Sequence, residues 1–276
     1  MIIKGIDFTS APSAKKPITC AICTLQNNHL ILQDIKSLID FAQFESELSA
    51  EGEWFAGLDF PFGQSRTFIE NMGWPDNWQE YITIVSSLCK DAFIELLENY
   101  KKDRQVGDKE HKRKIDVLAK AISPQKLYGV PVGKMFFEGA KRLMKSPASV
   151  IPLRKSDENR VAFEAYPALV ARRFIGNRSY KNDTKSKQTK ELEASRIEII
   201  KGIEADALQQ EFGVKVVLNQ YREQLINDAT GDRLDAVLCA IQAAWGYLNR
   251  HNNFGMPENI DLAEGWIVDP MFSISK

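Results

Sequence analysis

The sequence predicts an α/β fold: a mixed five-stranded sheet of three antiparallel strands followed by parallel strands, flanked by helices and interrupted by a helical insertion. Two patterns support this. Short alternating or fully apolar runs separated by turn residues fill 1–60, then 3.6-residue periodicity takes over from about 64 to 147, and a strand pattern returns at 161–166. Each of the apolar runs near 7, 59 and 164 also ends on a carboxylate, Asp7, Asp59 or Glu164. An ionised acid beside apolar residues is costly to bury unless positive or hydrogen-bonding groups meet it, so these acids need partners.

The first strand is Ile2-Ile3-Lys4-Gly5-Ile6-Asp7, followed by Phe8 and the hydroxyl pair Thr9-Ser10. Pro12 and Pro17 bracket a turn, and 18–25 alternates as a strand. Asn27-Asn28 is turn chemistry, and a third strand over 29–35 completes an antiparallel meander. Phe41, Phe44 and Leu48 fall at helical spacing, which predicts a helix over 39–49. A buried strand over 54–60 stops at Pro61, since proline cannot donate to a ladder.

Within the insertion, Trp78, Tyr81, Ile82, Val85, Leu88, Phe93, Leu96 and Tyr100 keep a helical period, which predicts one long helix over 78–100. The charged stretch from Lys101 to Lys114 reads as its solvated end, where cations suit the helix dipole. Pro124, Pro131 and Gly133 mark an irregular connection to another helix over 134–145. The whole chain, 1–276, reads as a single domain with the insertion at about 64–147.

Beyond the strand at 161–166, Pro167 suits the first position of a helix running to 174. The polar, basic segment 176–187 reads as a mobile loop. Helices are predicted over 189–203 and 205–212, a short strand over 214–218, and a long helix over 232–249. Asp232 and Asp235, three apart at the start of that last helix, project from one face.

Composition excludes several classes. A net charge of −1 gives no global attraction to polyanions or membranes, so any anion site must come from local clustering. The apolar run at the N-terminus is interrupted by Lys4 and Asp7, and no uncharged run approaches membrane-spanning length, which points to a cytoplasmic protein without a membrane partner. Cys20 and Cys23 have C-x-x-C spacing, but strand alternation sends them to opposite faces, so they read as core residues. His29, His111 and His251 show no ligand spacing, which argues against zinc.

Each acid has a local explanation: a strand-end turn for Asp7, an Asx turn at Asp59, a first-turn acid at Glu164, and an N-cap with its N3 partner at Asp232 and Asp235. Their order suggests convergence instead. A meander followed by a crossover helix places the first and fourth strands side by side, which brings Asp7 next to Asp59 if the pair is parallel. Carboxylates gathered in one place repel one another unless divalent cations hold them, and the corresponding chemistry is two-metal hydrolysis of a phosphodiester.

Gly5-Ile6-Asp7, Gly57-Leu58-Asp59-Phe60-Pro61-Phe62-Gly63, Phe163-Glu164-Ala165-Tyr166-Pro167, Tyr180-Lys181, Asp232-Arg233-Leu234-Asp235-Ala236 and Glu264-Gly265-Trp266-Ile267 resemble, in order, the family of predicted nucleases called domain of unknown function 429, and the element order resembles the ribonuclease H-like superfamily. The resemblance is weak across the insertion. It implies a Mg2+-dependent (or Mn2+-dependent) hydrolase acting on nucleic acid, DNA or RNA, with Asp7, Asp59, Glu164 and Asp235 as catalytic metal ligands and Asp232 as a further ligand. Thr9, Ser10, Arg178 and Lys181 are the candidate substrate contacts, the last two because cations crowd the segment 172–190 and Arg grips phosphate in a bidentate fork. Two other functions share the sequence features: an actin-like or sugar-kinase-type phosphotransferase, which also begins with strand, Asp and hydroxyl turn, and a non-catalytic binding module on the same fold.

Overall fold

The computed structural model describes residues 1–273. Strands β1 (Ile2–Asp7), β2 (Ile18–Gln26) and β3 (His29–Leu38) form the antiparallel meander. The hairpin between β2 and β3 turns on Asn27 and Asn28, both at positive φ (48° and 60°), as a two-residue hairpin requires and asparagine tolerates. Helix α1 (Phe41–Leu48) is capped by Asp40, whose carboxylate accepts from the Gln43 N–H at 2.8 Å, and it carries the chain across to β4 (Trp54–Leu58). Strand β4 runs parallel to β1, with Ile6 opposite Leu58.

Five helices follow: α2 (Arg66–Asn71), α3 (Trp78–Ser87), α4 (Lys90–Lys102), α5 (Lys114–Leu118) and α6 (Val132–Lys145). The chain returns through β5 (Ser149–Ile151) and β6 (Arg160–Glu164), then α7 (Pro167–Ile175), α8 (Lys190–Ile203), α9 (Asp206–Phe212), β7 (Lys215–Val217), α10 (Arg222–Asn227) and α11 (Asp232–Leu248). Among the described residues the sheet has seven strands in the order β5-β6-β4-β1-β2-β3-β7. Its centre is the expected set of five. Two three-residue edges extend it: β7 falls within the strand expected over 214–218, while β5 is too short to carry a period of its own.

The sheet is covered on both faces. Ile3, Cys23, Phe55 and Phe163 face a core shared with α7, α8, α9 and α11, while Ile6, Cys20, Leu58 and Ala162 face a second core built with α1, α3, α4 and α6. Cys20 and Cys23 therefore do lie on opposite faces, and all four thiols are free. No helix among the described residues is long and apolar enough to cross a membrane.

Several local expectations are corrected. The long helix over 78–100 is two helices. Leu88 adopts an extended ψ of 147°, and Cys89 caps α4, its Sγ accepting from the Ala92 N–H at 3.4 Å, so the apolar period continues across a break that Ser86, Ser87 and Asp91 favour. The charged stretch before α5 is not wholly solvated, because Arg113 is buried. The basic segment after α7 is anchored where Tyr180 is buried and its carbonyl accepts from Arg196 at 2.7 Å. Asp232 is the first helical residue of α11, and Gly231 at φ 76° is its N-cap.

Helix α11 lies directly on β1 and β4, and two glycines permit it. A Cβ on Gly5 would stand 1.8 Å from the Ala236 carbonyl oxygen, and one on Gly57 would stand 2.4 Å from that of Cys239. This contact of backbone on backbone carries the N-terminus of α11 to the C-terminal ends of the central strands.

Candidate functional site: a carboxylate cluster at the strand ends

Asp7 closes β1 and Asp59 follows β4, and the Asp59 N–H donates to the Ile6 carbonyl at 2.9 Å, which fixes the two acids side by side. Asp235 approaches from the first turn of α11, with no side-chain exposure. Both strand-end aspartates are half-buried, and no protein donor meets either carboxylate among the described residues. Burial pushes the Asp7 carboxyl well above the usual range, Lys181 opposes this, and Asp235, Asp232 and Asp59 push it further up. Asp59 is pushed up to about 7, first by burial and then by Asp235. Asp232, half-buried at the rim, is raised by burial against the pull of Lys16 and Lys181.

Lys181 is the counter-charge. Its ammonium donates to Asp235, whose other oxygen accepts from the Tyr180 hydroxyl. Burial works to lower the Lys181 pKa, but Asp235, Tyr180 and Asp7 outweigh it and hold it well above its ordinary value. The Tyr180 hydroxyl is held far from ionising by burial and by the negative charge of Asp235.

Glu164 ends β6, in register with Leu58, yet it faces a different partner. Its two oxygens accept from Arg113 at 2.7 and 2.5 Å, and one also accepts from the Phe62 N–H at 2.9 Å. Arg113 in turn holds Asp116 at 2.7 and 2.9 Å and the Glu264 carbonyl at 3.1 Å. The Glu264 carboxylate accepts the first N–H groups of two insertion helices, from Arg66 at 2.7 Å and Lys114 at 2.9 Å. Those positive helix ends are where a carboxylate is stabilised. Sequence reasoning missed Arg113 and Asp116 as parts of the site. The only signal was their place in a charged stretch, which ordinarily means solvent.

The remaining candidates divide. Lys181 and Arg178 line a cleft that opens beside Asp59 and Glu164, though the Arg178 guanidinium is already paired with Glu198 at 2.7 Å. Thr9 and Ser10 follow Asp7 but are not part of the cleft wall. The Ser10 carbonyl accepts from Lys90 at 3.3 Å.

The donor set fits a hard divalent cation in part. Asp7 and Asp59 offer oxygens without protein donors, the ligands Mg2+ and Mn2+ prefer. Asp235 joins them only when Lys181 withdraws, and Glu164 is committed to Arg113. Consistent with this, no group of three or more His, Cys, Asp or Glu side chains among the described residues is arranged as a ready metal shell.

Fold and site together define an α/β protein with a carboxylate cluster and an adjoining cleft at the C-terminal ends of its central strands. The chain belongs to the family described as Protein of unknown function (DUF429), whose model matches residues 5–252. The match takes in the strand-end acids, Lys181 and the start of α11. No curated protein and no solved structure matches the chain.

Proposed function

We propose that this protein is a divalent-metal-dependent nuclease of the ribonuclease H-like kind, hydrolysing phosphodiester bonds of nucleic acid in the cytoplasm. The observation that carries the reading is the convergence of Asp7, Asp59 and Asp235, from three separate elements, into one cluster in which burial and then the charge of Asp235 push the Asp7 and Asp59 carboxyls up. Such a cluster is costly for folding alone and useful for holding a cation. A central meander followed by parallel strands, in the order β6-β4-β1-β2-β3, is the arrangement expected of that superfamily.

In this reading Asp7 and Asp59 hold Mg2+ or Mn2+, with Asp235 as the third ligand and Asp232 at the rim. The bound cation supplies an activated water and neutralises charge on the leaving oxygen. The chain's own residues do the rest. Lys181 shields the acids from one another and from an incoming phosphate, while Tyr180 and α11 hold Asp235 in place. Arg113 pairs with both Glu164 oxygens and turns them aside, so Glu164 shapes the site by holding Arg113 more than by ligation.

The test is a panel of labelled single-stranded, double-stranded and branched DNA and RNA, incubated with Mg2+ or Mn2+. Cleavage that EDTA and Asp59→Asn both abolish supports the reading. Absence of cleavage on every substrate, together with ATP hydrolysis in the presence of a sugar, replaces it with phosphotransfer.

A further inference from the structure

A cleft of about 450 Å³ leaves the acid cluster at Asp59 and Glu164 and runs along α7. Its size lies within the range of small-molecule sites, roughly 300–1,000 Å³. The insertion forms one wall through Ile122, Val130, Val132 and Met135, and α7 forms the other through Ala168 and Ala171. A groove meant only for a phosphate backbone is lined by cations along its length. These walls are apolar, and the polar lining includes the acids Asp59, Asp116 and Glu164.

Four cations reach the cleft: Arg113, Arg172, Arg178 and Lys181. Three of them face carboxylates, Arg113 on Asp116 and Glu164, Arg178 on Glu198 and Lys181 on Asp235. Arg172 differs. Among the described residues its guanidinium donates only to neutral oxygens, the Ala119 carbonyl at 2.8 Å and the Tyr166 hydroxyl at 3.2 Å, and it lies 5.3 Å from the centre of the Tyr166 ring. Tyr166 lies two residues beyond Glu164 and lines the same cleft, so its hydroxyl ties this arginine to the cleft wall that follows the acid.

We infer that the cleft takes one nucleotide unit, its base between the insertion wall and α7 and its phosphate at Arg172 beside the acids. The inference rests on the hydrolase reading for the identity of the anion, and it deepens that reading by naming the substrate class. A flat apolar body carrying one phosphate matches apolar walls that end in an arginine free of carboxylates. A base still stacked in a duplex cannot enter such a cleft, so the unit is either a free nucleotide or an unstacked unit of a single strand. The insertion thereby supplies the wall that selects the substrate.

The experiment is calorimetric titration in EDTA, where hydrolysis is silent, with AMP, UMP, adenosine, orthophosphate, a single-stranded dodecamer and its duplex. AMP and UMP are expected to bind at least tenfold more tightly than adenosine or orthophosphate, and the single strand at least tenfold more tightly than the duplex. Ala168→Trp, which fills the cleft, and Val130→Asp, at a position 55% exposed and so safe for folding, should each weaken AMP at least tenfold. Arg172→Gln should remove the preference for AMP over adenosine. A single strand that binds tenfold better than AMP and competes with it identifies a strand unit as the natural ligand, whereas equal affinity identifies a free nucleotide. Duplex binding equal to single-strand binding, or AMP binding unchanged in both wall variants, overturns the inference. The two readings fail separately: cleavage unaffected by both wall variants removes the cleft and leaves the hydrolase, while AMP binding without cleavage of any substrate in Mn2+ does the reverse.

Discussion

Arg113→Gln should cost the fold about 3–5 kcal/mol at pH 8, the usual range for breaking a buried ion pair by removing one partner. The structure says why the value belongs in that range. Arg113 is 1% exposed and sits between Asp116 at 1% and Glu164 at 2%, so its loss leaves two carboxylates without a counter-charge and without access to water. Against a typical total stability of about 5–15 kcal/mol, such a loss is large. The pH dependence follows from the sign of the shift. Burial already raises the Glu164 carboxyl while Arg113 holds it down, so removing Arg113 raises it further. A carboxyl whose folded pKa lies above its unfolded one costs stability as pH rises through the interval between them. The deficit should therefore be largest at pH 8 and shrink towards pH 5. Urea unfolding of both proteins at several pH values, read from midpoints at constant slope, measures this. The triple change Arg113→Gln, Asp116→Asn, Glu164→Gln, which removes all three charges of this buried trio, should recover most of the loss. A deficit below about 1 kcal/mol, or one that does not change with pH, would refute the reasoning.

Gly5→Ala should destabilise by about 3 kcal/mol or more, because the new Cβ meets backbone at 1.8 Å, short of the 3.0 Å that such contacts need, and α11 must retreat by more than an ångström; thermal or urea melts check it, and a loss below about 1 kcal/mol contradicts the packing. Asp7→Asn should abolish metal-dependent cleavage while leaving the fold as stable or more stable, since it removes one charge from a repelling cluster; activity lost together with the fold would count against this. In EDTA the stability of the wild type should fall as pH rises from the ordinary carboxylate range to about 7 as Asp59 ionises, by at most about 4 kcal/mol from this group and by less where solvent reaches it, and urea melts of Asp59→Asn should show a smaller fall, the part set by the raised Asp7 and Asp232 carboxyls remaining.

Much of this arrangement is legible in the sequence because it depends on local rules. Strand ends, a crossover and a parallel pairing suffice to place Asp7 beside Asp59, and the three-residue spacing of Asp232 and Asp235 identifies the helix start that meets them. Partners that depend on distant chain are not legible. Arg113 finds Glu164 fifty-one positions away, and nothing near Arg113 distinguishes it from the solvated cations beside it. Lys181 looks like one cation among many in a basic segment until Asp235 is brought opposite it. The break at Leu88 is hidden because the two helices on either side bury the same face, Val85 before the break and Phe93 after it. The short edge β5 exists only because the longer β6 stands beside it to be extended.

The central claim is that Asp7 and Asp59 hold a divalent cation for which Lys181 stands in. Its most direct test is Mn2+ binding followed by electron paramagnetic resonance in the wild type, Asp7→Asn and Lys181→Met. The account predicts one or two bound ions in the wild type, at least tenfold weaker binding in Asp7→Asn, and tighter binding once the competing ammonium is gone in Lys181→Met. Equal Mn2+ affinity in all three proteins, or no binding at millimolar Mn2+, would contradict it.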